Sequence, residues 1–374
     1  MKLLILKENL KTGLNYVERI AGKNLSLPIL ENVLISAEKN FLNLITTDLE
    51  TVISWWGLAK VEKEGKTTVP VKFLSSFVGL LPKDSVKLEA KDSTLYVEGG
   101  SFKNQIKGFN PEDFPVVPEI DKSASLEVNC QPFIEGLSQV VETASLTSAR
   151  PEISGIYLNF QKEFLKIVAT DSFRLAEKTL FPESKIEKEH SLILPQRAAR
   201  ELINILSDKK GKLSIYFSPN QVMFELPMTE TDHAQLRITS KLIEGEYPNY
   251  QEIIPKKYET QVVLPRGELL TQLKAAGLFS GKVSEVKVQV NPEKNGIEIF
   301  SQSVDVGQNQ SFLSGKVKGK KTEISFNWRF LLDGLSHIKT SEVILDLSGE
   351  EGPASLKPAD DSSYLYIVMP IKGS

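Results

Sequence analysis

A chain of 374 residues is longer than one ordinary domain and predicts two or three. With 41% hydrophobic and 25% charged residues it has a soluble globular balance, and its apolar runs are too short for a membrane span or a secretory leader. One cysteine, Cys130, excludes an internal disulfide framework and a Cys-based zinc cluster and predicts a reducing, cytoplasmic setting, while a net charge of −3 does not announce a nucleic-acid partner.

In chain order, Leu10 and Leu14 stand four apart and predict the buried face of a first helix. An alternating strand follows, LNLITTD at 42–48, and then a strand that runs into a helix, TVPVKFLSSFVGLL at 68–81. VKLEA and TLYVE alternate with period two and predict a strand pair. FNPEDFPVVPEI at 109–120 has an aromatic-Pro step and a later Pro, which predicts a stiff, extended linker.

The same order then returns twice. Phe133 and Leu137 open a helix, LKIVATD (165–171) is the strand, ILPQRAARELINIL (193–206) is the strand-to-helix step, and KLSIYFS with QVMFEL is the strand pair. After a second Tyr-Pro linker, LIEGEYPNYQEIIP (242–255), come Leu269 and Leu273, IEIFSQS (297–303), ISFNWRFLLDGLSHI (324–338) and VILDLS. Pro70 and Pro195 are expected in the first helical turn, where a missing N–H costs nothing. Three landmarks in the same order predict three similar domains, 1–118, 125–247 and 257–374. Each is expected to hold two helices and roughly eight strands, with the helices packed on antiparallel sheet in an α+β arrangement.

The six predicted helical segments are 7–23, 70–83, 131–150, 195–212, 265–282 and 327–341. They carry a net +9, which leaves −12 elsewhere on a chain whose total is −3. Two readings follow. The helices share a basic face suited to phosphates, which needs no base-reading residues, or Lys and Arg simply populate solvated helix faces as good helix formers.

Catalytic signatures are missing. There is no Gly-rich phosphate loop after a strand and no G-x-S-x-G elbow. His190, His233 and His337 are not at metal-ligand spacing, so no metal and no cofactor is expected. VATDSFRLA (168–176) crowds an acid, hydroxyls and an arginine together, but Asp48 in ITTDLE (45–50) has the same setting 123 positions earlier. A pair of Thr-Asp steps at strand ends predicts a shared turn held by side-chain-to-backbone bonds rather than a catalytic Asp. Ser172 to Leu175 belong to the second copy alone, which is where specific function is expected.

Several stretches, in order, carry a family resemblance: SLPIL (26–30), ITTDLE, TTVPVKF (67–73), EDFP (112–115), RPEISGIYL (150–158), VATDSFRLA, ITSKLIEGEYPNY (238–250) and YIVMPIK (366–372). Over its full length the chain resembles the bacterial DNA polymerase III β subunit, the sliding clamp. The resemblance implies a head-to-tail homodimeric ring around duplex DNA that gives processivity to a replicative polymerase, has no catalytic site of its own, and binds a clamp loader and other clamp-binding proteins. Twelve helix axes spaced ~9 Å apart circle a ring ~34 Å across, which leaves room for a duplex.

The resemblance further implies residue roles. A groove for partner peptides would use Ile153, Thr170, Ser172, Phe173, Arg174, Leu175, Pro248, Ile253, Ile367, Val368, Met369, Pro370 and Ile371, with an Arg stem and a hydroxyl at its edge. Dimer closure would bring Lys103 and Ile106 on an edge strand to Leu278 and Phe279. DNA would be faced by Lys23, Lys72, Arg150, Arg197, Arg200, Lys209, Arg266 and Lys274. Departures from the family are Ser172-Phe173 where Gly-His is frequent, Gln251 or Glu252 for a linker Arg, Asn24 for a basic residue, and Pro151 and Glu152 for two aromatics. Two other readings compete: a hydrolase or lyase using Asp171, Arg174 and a histidine, against which the repeat argues, and a monomeric adaptor that binds only proteins, against which the charge partition argues.

Overall fold

The computed structural model describes residues 1–22, 27–82, 84–117, 119–122, 125–147, 149–182, 186 and 189–372. Lys23 lies outside the described residues. Six α-helices are seen among those described: α1 (Lys7–Val17), α2 (Val71–Leu80), α3 (Cys130–Val140), α4 (Gln196–Leu206), α5 (Arg266–Gly277) and α6 (Trp328–Ser336). The apolar pairs four apart do what their spacing predicts. Leu10 and Leu14 in α1, Phe133 and Leu137 in α3, and Leu269 and Leu273 in α5 are all buried. Each such burial is worth about 1.5–3 kcal/mol. In α1, Gly13 lets the helix lie flat on the Trp55 ring, because a Cβ there would sit 2.3 Å from it.

The prolines before α2 and α4 differ from expectation. Pro70 and Pro265 are the N-cap residues, and Pro195 likewise ends its strand one residue before α4. Each closes a strand where no further ladder donor is needed.

Two compact units divide the chain, one with residues 1–131 and 200–242, the other with 132–199 and 243–374. The dividing line runs through the central repeat, and the strand order explains it. Every repeat has two antiparallel quartets. One contains the strand before the first helix and the three strands after the second: Lys2–Leu6, Ser85–Lys91, Thr94–Gly99 and Phe102–Lys107 in the first copy. The other contains the strands between the helices: Gly65–Pro70, Asn32–Glu38, Phe41–Thr47 and Thr51–Leu58.

In the first unit, Thr51–Leu58 pairs with Ala234–Lys241 of the central repeat and makes an eight-stranded sheet. In the second unit, Arg174–Leu180 of the central repeat pairs with Tyr364–Val368 of the third and makes a nine-stranded sheet. Each junction therefore joins the last strand of one quartet type to the last strand of the other. Two such strands keep a free edge, Phe102–Lys107 in the five-stranded sheet and Gly307–Ser314 in the four-stranded sheet.

The linkers are less extended than proline chemistry alone predicts. Each contains one short 3-10 turn, Pro111–Asp113 and Tyr250–Ile253. The first is also pressed against its own domain: Thr68 Oγ1 bonds both the N–H and the carbonyl of Phe109, and a Cβ on Gly108 would fall 1.6 Å from the Thr68 carbonyl oxygen.

Candidate functional site

The two Thr-Asp steps form the same turn. Asp171 Oδ1 accepts from the N–H groups of Phe173 and Arg174, both at 3.0 Å, and Thr170 Oγ1 donates to the Arg174 carbonyl at 2.7 Å. Asp48 Oδ1 accepts from Glu50 and Thr51 at 3.1 and 2.7 Å, and Thr47 Oγ1 donates to the Thr51 carbonyl at 3.0 Å. The middle residue is left-handed in both, with φ of 75° at Leu49 and 77° at Ser172. In each aspartate Oδ1 is committed to two amides, which is a structural task.

What the turn presents differs in the second unit. Arg174 pairs with Val368 and Leu175 with Ile367 across the sheet, and the Met369 N–H donates to the Phe173 carbonyl at 2.8 Å. Val168, Leu175, Tyr250 and Ile367 form a buried cluster, with Tyr157, Tyr247 and Ile254 packed against it. Tyr157 and Tyr247 stack at 4.7 Å. The Tyr250 hydroxyl donates to Glu177 at 2.6 Å, and Glu177 is also bound by Lys166 at 2.9 Å. The linker carrying Pro248 and Ile253 is thus pinned on either side by Tyr247, Tyr250 and Ile254. Tyr157, Tyr247, Tyr250, Glu177 and Lys166 were not singled out from sequence; the Tyr-Pro step of the linker was their only visible signal.

Of the thirteen expected groove residues, all but Arg174 separate into two groups. Ile153, Thr170, Leu175, Ile367 and Val368 are buried and serve as support. Ser172, Phe173 (62% exposed) and Ile253 (46%) face solvent, and Pro248, Met369, Pro370 and Ile371 are half-buried. Arg174 is not the free stem expected at an edge. Its guanidinium bonds Asp171 at 2.9 Å, Asp333, and the Glu142 carbonyl at 3.1 Å, and it lies 4.6 Å over the Phe330 ring. Burial opposes its charge, but Tyr366, Asp171 and Asp333 outweigh that and push its pKa up.

The basic residues are also corrected in part. The observed helices are shorter than the predicted segments and carry a net +3, so most of the +9 lies in flanking residues such as Lys209 and Lys210 after α4 and Lys212 at the start of the next strand. Arg266 caps a helix instead of standing free: its Nε donates to the Leu335 carbonyl at 3.0 Å at the end of α6. Lys7 does the same for α2, donating to the carbonyls of Gly79 at 3.2 Å and of Leu81. A cation there meets the negative end of the helix dipole. Lys209 is half-buried against Tyr16 and Asp208, and Arg150 reaches Glu152 at 3.1 Å and the Ser172 hydroxyl at 3.3 Å. Lys72, Arg197, Arg200 and Lys274 are exposed.

Of the expected closure residues, Ile106 is buried in its own domain, where the strand's one inward side chain must go. Lys103 and Leu278 (74%) are exposed and Phe279 is half-buried.

The histidines are dispersed. His233 stacks on Phe41 at 4.2 Å, and burial lowers the pKa of His337 against the charges of Asp333 and Glu142. Among the described residues, no group of three or more His, Cys, Asp or Glu could hold a metal ion, and no helix is long and apolar enough to cross a membrane. Burial pushes the Cys130 thiol up to about 11, which keeps it protonated at neutral pH.

Comparison with known proteins accounts for the whole length. The DNA polymerase III beta subunit models match in order: N-terminal domain at 1–118, central domain at 127–249 and C-terminal domain at 251–372. The chain is 29% identical over 379 residues to the beta sliding clamp of Synechococcus elongatus and 26% over 383 to that of Staphylococcus aureus, covering 100% of this chain and 99% of each relative. Among solved structures, the sliding clamp of Pseudomonas aeruginosa bound to griselimycin superposes with a TM-score of 0.93 at 25% identity, and the β subunit of Thermotoga maritima with 0.91 at 25%, each covering 100% of both chains. Matched from end to end in this order, the three-domain chain belongs to the DNA polymerase III β-subunit family.

Proposed function

We propose that this protein is a DNA sliding clamp: a closed ring of two copies, head to tail, that encircles duplex DNA, confers processivity on the replicative polymerase and has no catalytic site of its own. One observation carries the reading. Both internal junctions join the same two kinds of strand, and one strand of each kind, Phe102–Lys107 and Gly307–Ser314, is left with a free edge. A junction of the same type between two copies uses both edges, and that heterologous contact closes when its rotation divides the circle. Open edges invite pairing with another chain. Apolar side chains stand exposed on the same elements or close to them in sequence: Phe102 on one side, Val304, Val306 and Phe312 on the other.

The domains are taken as 1–118, 125–247 and 257–374, and the setting as the bacterial cytoplasm. Lys72, Arg197, Arg200 and Lys274 supply sequence-independent phosphate contacts, which are weak and salt-sensitive and so permit sliding. Phe173, Pro248, Ile253, Met369, Pro370 and Ile371 form the surface that takes short peptides of the polymerase, the clamp loader and other partners. Aliphatic and thioether side chains make an adaptable apolar surface there. The buried residues beneath hold its shape.

Two measurements test this. Sedimentation should give twice the 41.7 kDa of one chain, and a persistent monomer would sink the ring. Once loaded on a circular plasmid, the protein should stay bound in high salt and be released by linearisation; equal salt-driven loss from both forms would indicate ordinary electrostatic binding. For the peptide surface, Ile253→Glu should abolish binding of a labelled polymerase-derived peptide without lowering stability.

A further inference from the structure

The repeat places a first hollow, in the first unit, as the counterpart of the peptide surface in the second unit, the second hollow. A cavity of about 90 Å³ lies in the first unit, lined by Thr47, Leu49, Glu50, Val52, Val116 and Lys241 among others. Its correspondence with the peptide surface is residue by residue. The Asp48 turn matches the Asp171 turn bond for bond. Val52 pairs with Thr239 as Leu175 pairs with Ile367. The Lys241 N–H donates to the Glu50 carbonyl at 2.9 Å, as Met369 does to Phe173 at 2.8 Å. The Phe114-Pro115 step of one linker answers Tyr247-Pro248 of the other. The backbone equivalence therefore sets Glu50 against Phe173 and Lys241 against Met369.

Here the two hollows part. Glu50 and Lys241 form an ion pair at 3.2 Å, with both side chains largely exposed. Phe173 and Met369 present an aromatic face and a thioether instead. Leu49 and Val116, the latter 92% exposed, still give the first hollow apolar surface, and of its polar lining, which also includes Thr47, Gln221 and Thr239, the pair alone is charged. An apolar peptide seated there would strip water from two charges and gain no bond to them, which disfavours it relative to the uncharged counterpart.

The geometry points to the Glu50–Lys241 pair as a specificity determinant: it keeps partner peptides out of the first hollow, so that each chain takes one peptide at the second. This rests on the reading of Phe173 and its neighbours as the partner surface, and the test separates the two. The occupant is the same linear apolar peptide in either hollow, since the backbone frame is shared.

A reciprocal exchange tests the idea in the full-length protein, with a fluorescein-labelled peptide taken from the docking segment of the same cell's replicative polymerase. F173E/M369K installs the ion pair in the second hollow and should weaken binding at least tenfold. E50F/K241M removes it from the first and should raise the stoichiometry from one peptide per chain to two. Placed together, the four substitutions should restore one site per chain. If E50F/K241M keeps the wild-type circular dichroism and melting midpoint yet still binds one peptide, the inference is overturned; a wild-type protein that binds two overturns it as well. Should E50F/K241M not fold, E50Q/K241M removes both charges with little change of shape, and a stoichiometry that stays at one again overturns it. Ile253→Glu reports on the other reading: if binding survives that change, the partner surface itself is misplaced, whatever the exchange shows.

Discussion

The turns at 47–51 and 170–174 share every backbone bond and a left-handed middle residue, yet they hold different things. At the first, the positions after the aspartate are Leu49, Glu50 and Thr51; at the second they are Ser172, Phe173 and Arg174. In the second, the extra length of Arg174 reaches Asp333 and the Phe330 ring, and Leu175 is roofed by Tyr250 and packed on Ile367. A repeated scaffold thus supplies geometry twice, and side chains present in one copy decide what that geometry is used for. In both turns Oδ1 of the aspartate is spent on two backbone amides, the task of a turn residue.

That contrast can be broken at several points, and the largest effect is expected in the core beneath. Leu175→Ala should destabilise by about 3–5 kcal/mol, while Val52→Ala, at the half-buried counterpart, should cost about 1 kcal/mol; comparable losses in urea unfolding would mean that the two junctions are packed alike. Arg174→Ala should cost on the order of 3 kcal/mol, because it strands the largely buried Asp171 and removes the guanidinium from the Phe330 ring. Thr51→Ala should fall under about 1 kcal/mol, so a mild Arg174 variant would show that the pair is screened by water. Asp48→Ala and Asp171→Ala each remove an acceptor from two amides and should cost about 1–2 kcal/mol apiece. Here the comparison predicts equality in the turn itself, with any surplus at Asp171 assignable to Arg174. The smallest change is conformational: Leu49→Gly and Ser172→Gly relieve a left-handed φ and should stabilise by up to about 1 kcal/mol, read as a small rise in melting midpoint.

A pH scan adds a test in the first unit. Burial raises the Glu225 pKa, but the bonds from Lys122 and Arg237 outweigh it and hold the carboxyl below its usual range. A carboxylate held low in the folded state contributes stability above the unfolded pKa of ~4.3 and loses it as pH falls through the folded value. Glu225→Gln should therefore flatten the acid limb of the stability curve and leave stability at alkaline pH nearly parallel to wild type.

The order of elements, the helix faces and the equivalence of the two Thr-Asp turns were legible in the chain because they are local. Residues four apart share a helix face, alternation marks a half-buried strand, and an Asp after a strand finds amides within three residues. By the same local rules, the chain names three repeats without any knowledge of their contacts. Proline placement misled by one residue, and the linkers hid a 3-10 turn each, since φ restriction limits a residue without dictating its neighbours. The charge partition weakened once helix ends were known, because Lys209, Lys210 and Lys212 lie past the last turn of α4.

Other assignments needed the folded chain. Arg266 and Lys7 look like any exposed cation at a helix start, and only the antiparallel partner helix brings them the carbonyls of Leu335 and Leu81. Arg174 reads as a groove edge until Asp333, 159 residues away, arrives to bind it. Which strands remain unpaired is likewise a property of the sheets, since every strand in the sequence carries the same donors and acceptors. Local chemistry thus determined the unit and its repetition; long-range pairing decided which charges were spent inside, which side chains were buried, and which two of the quartets' last strands kept a free edge.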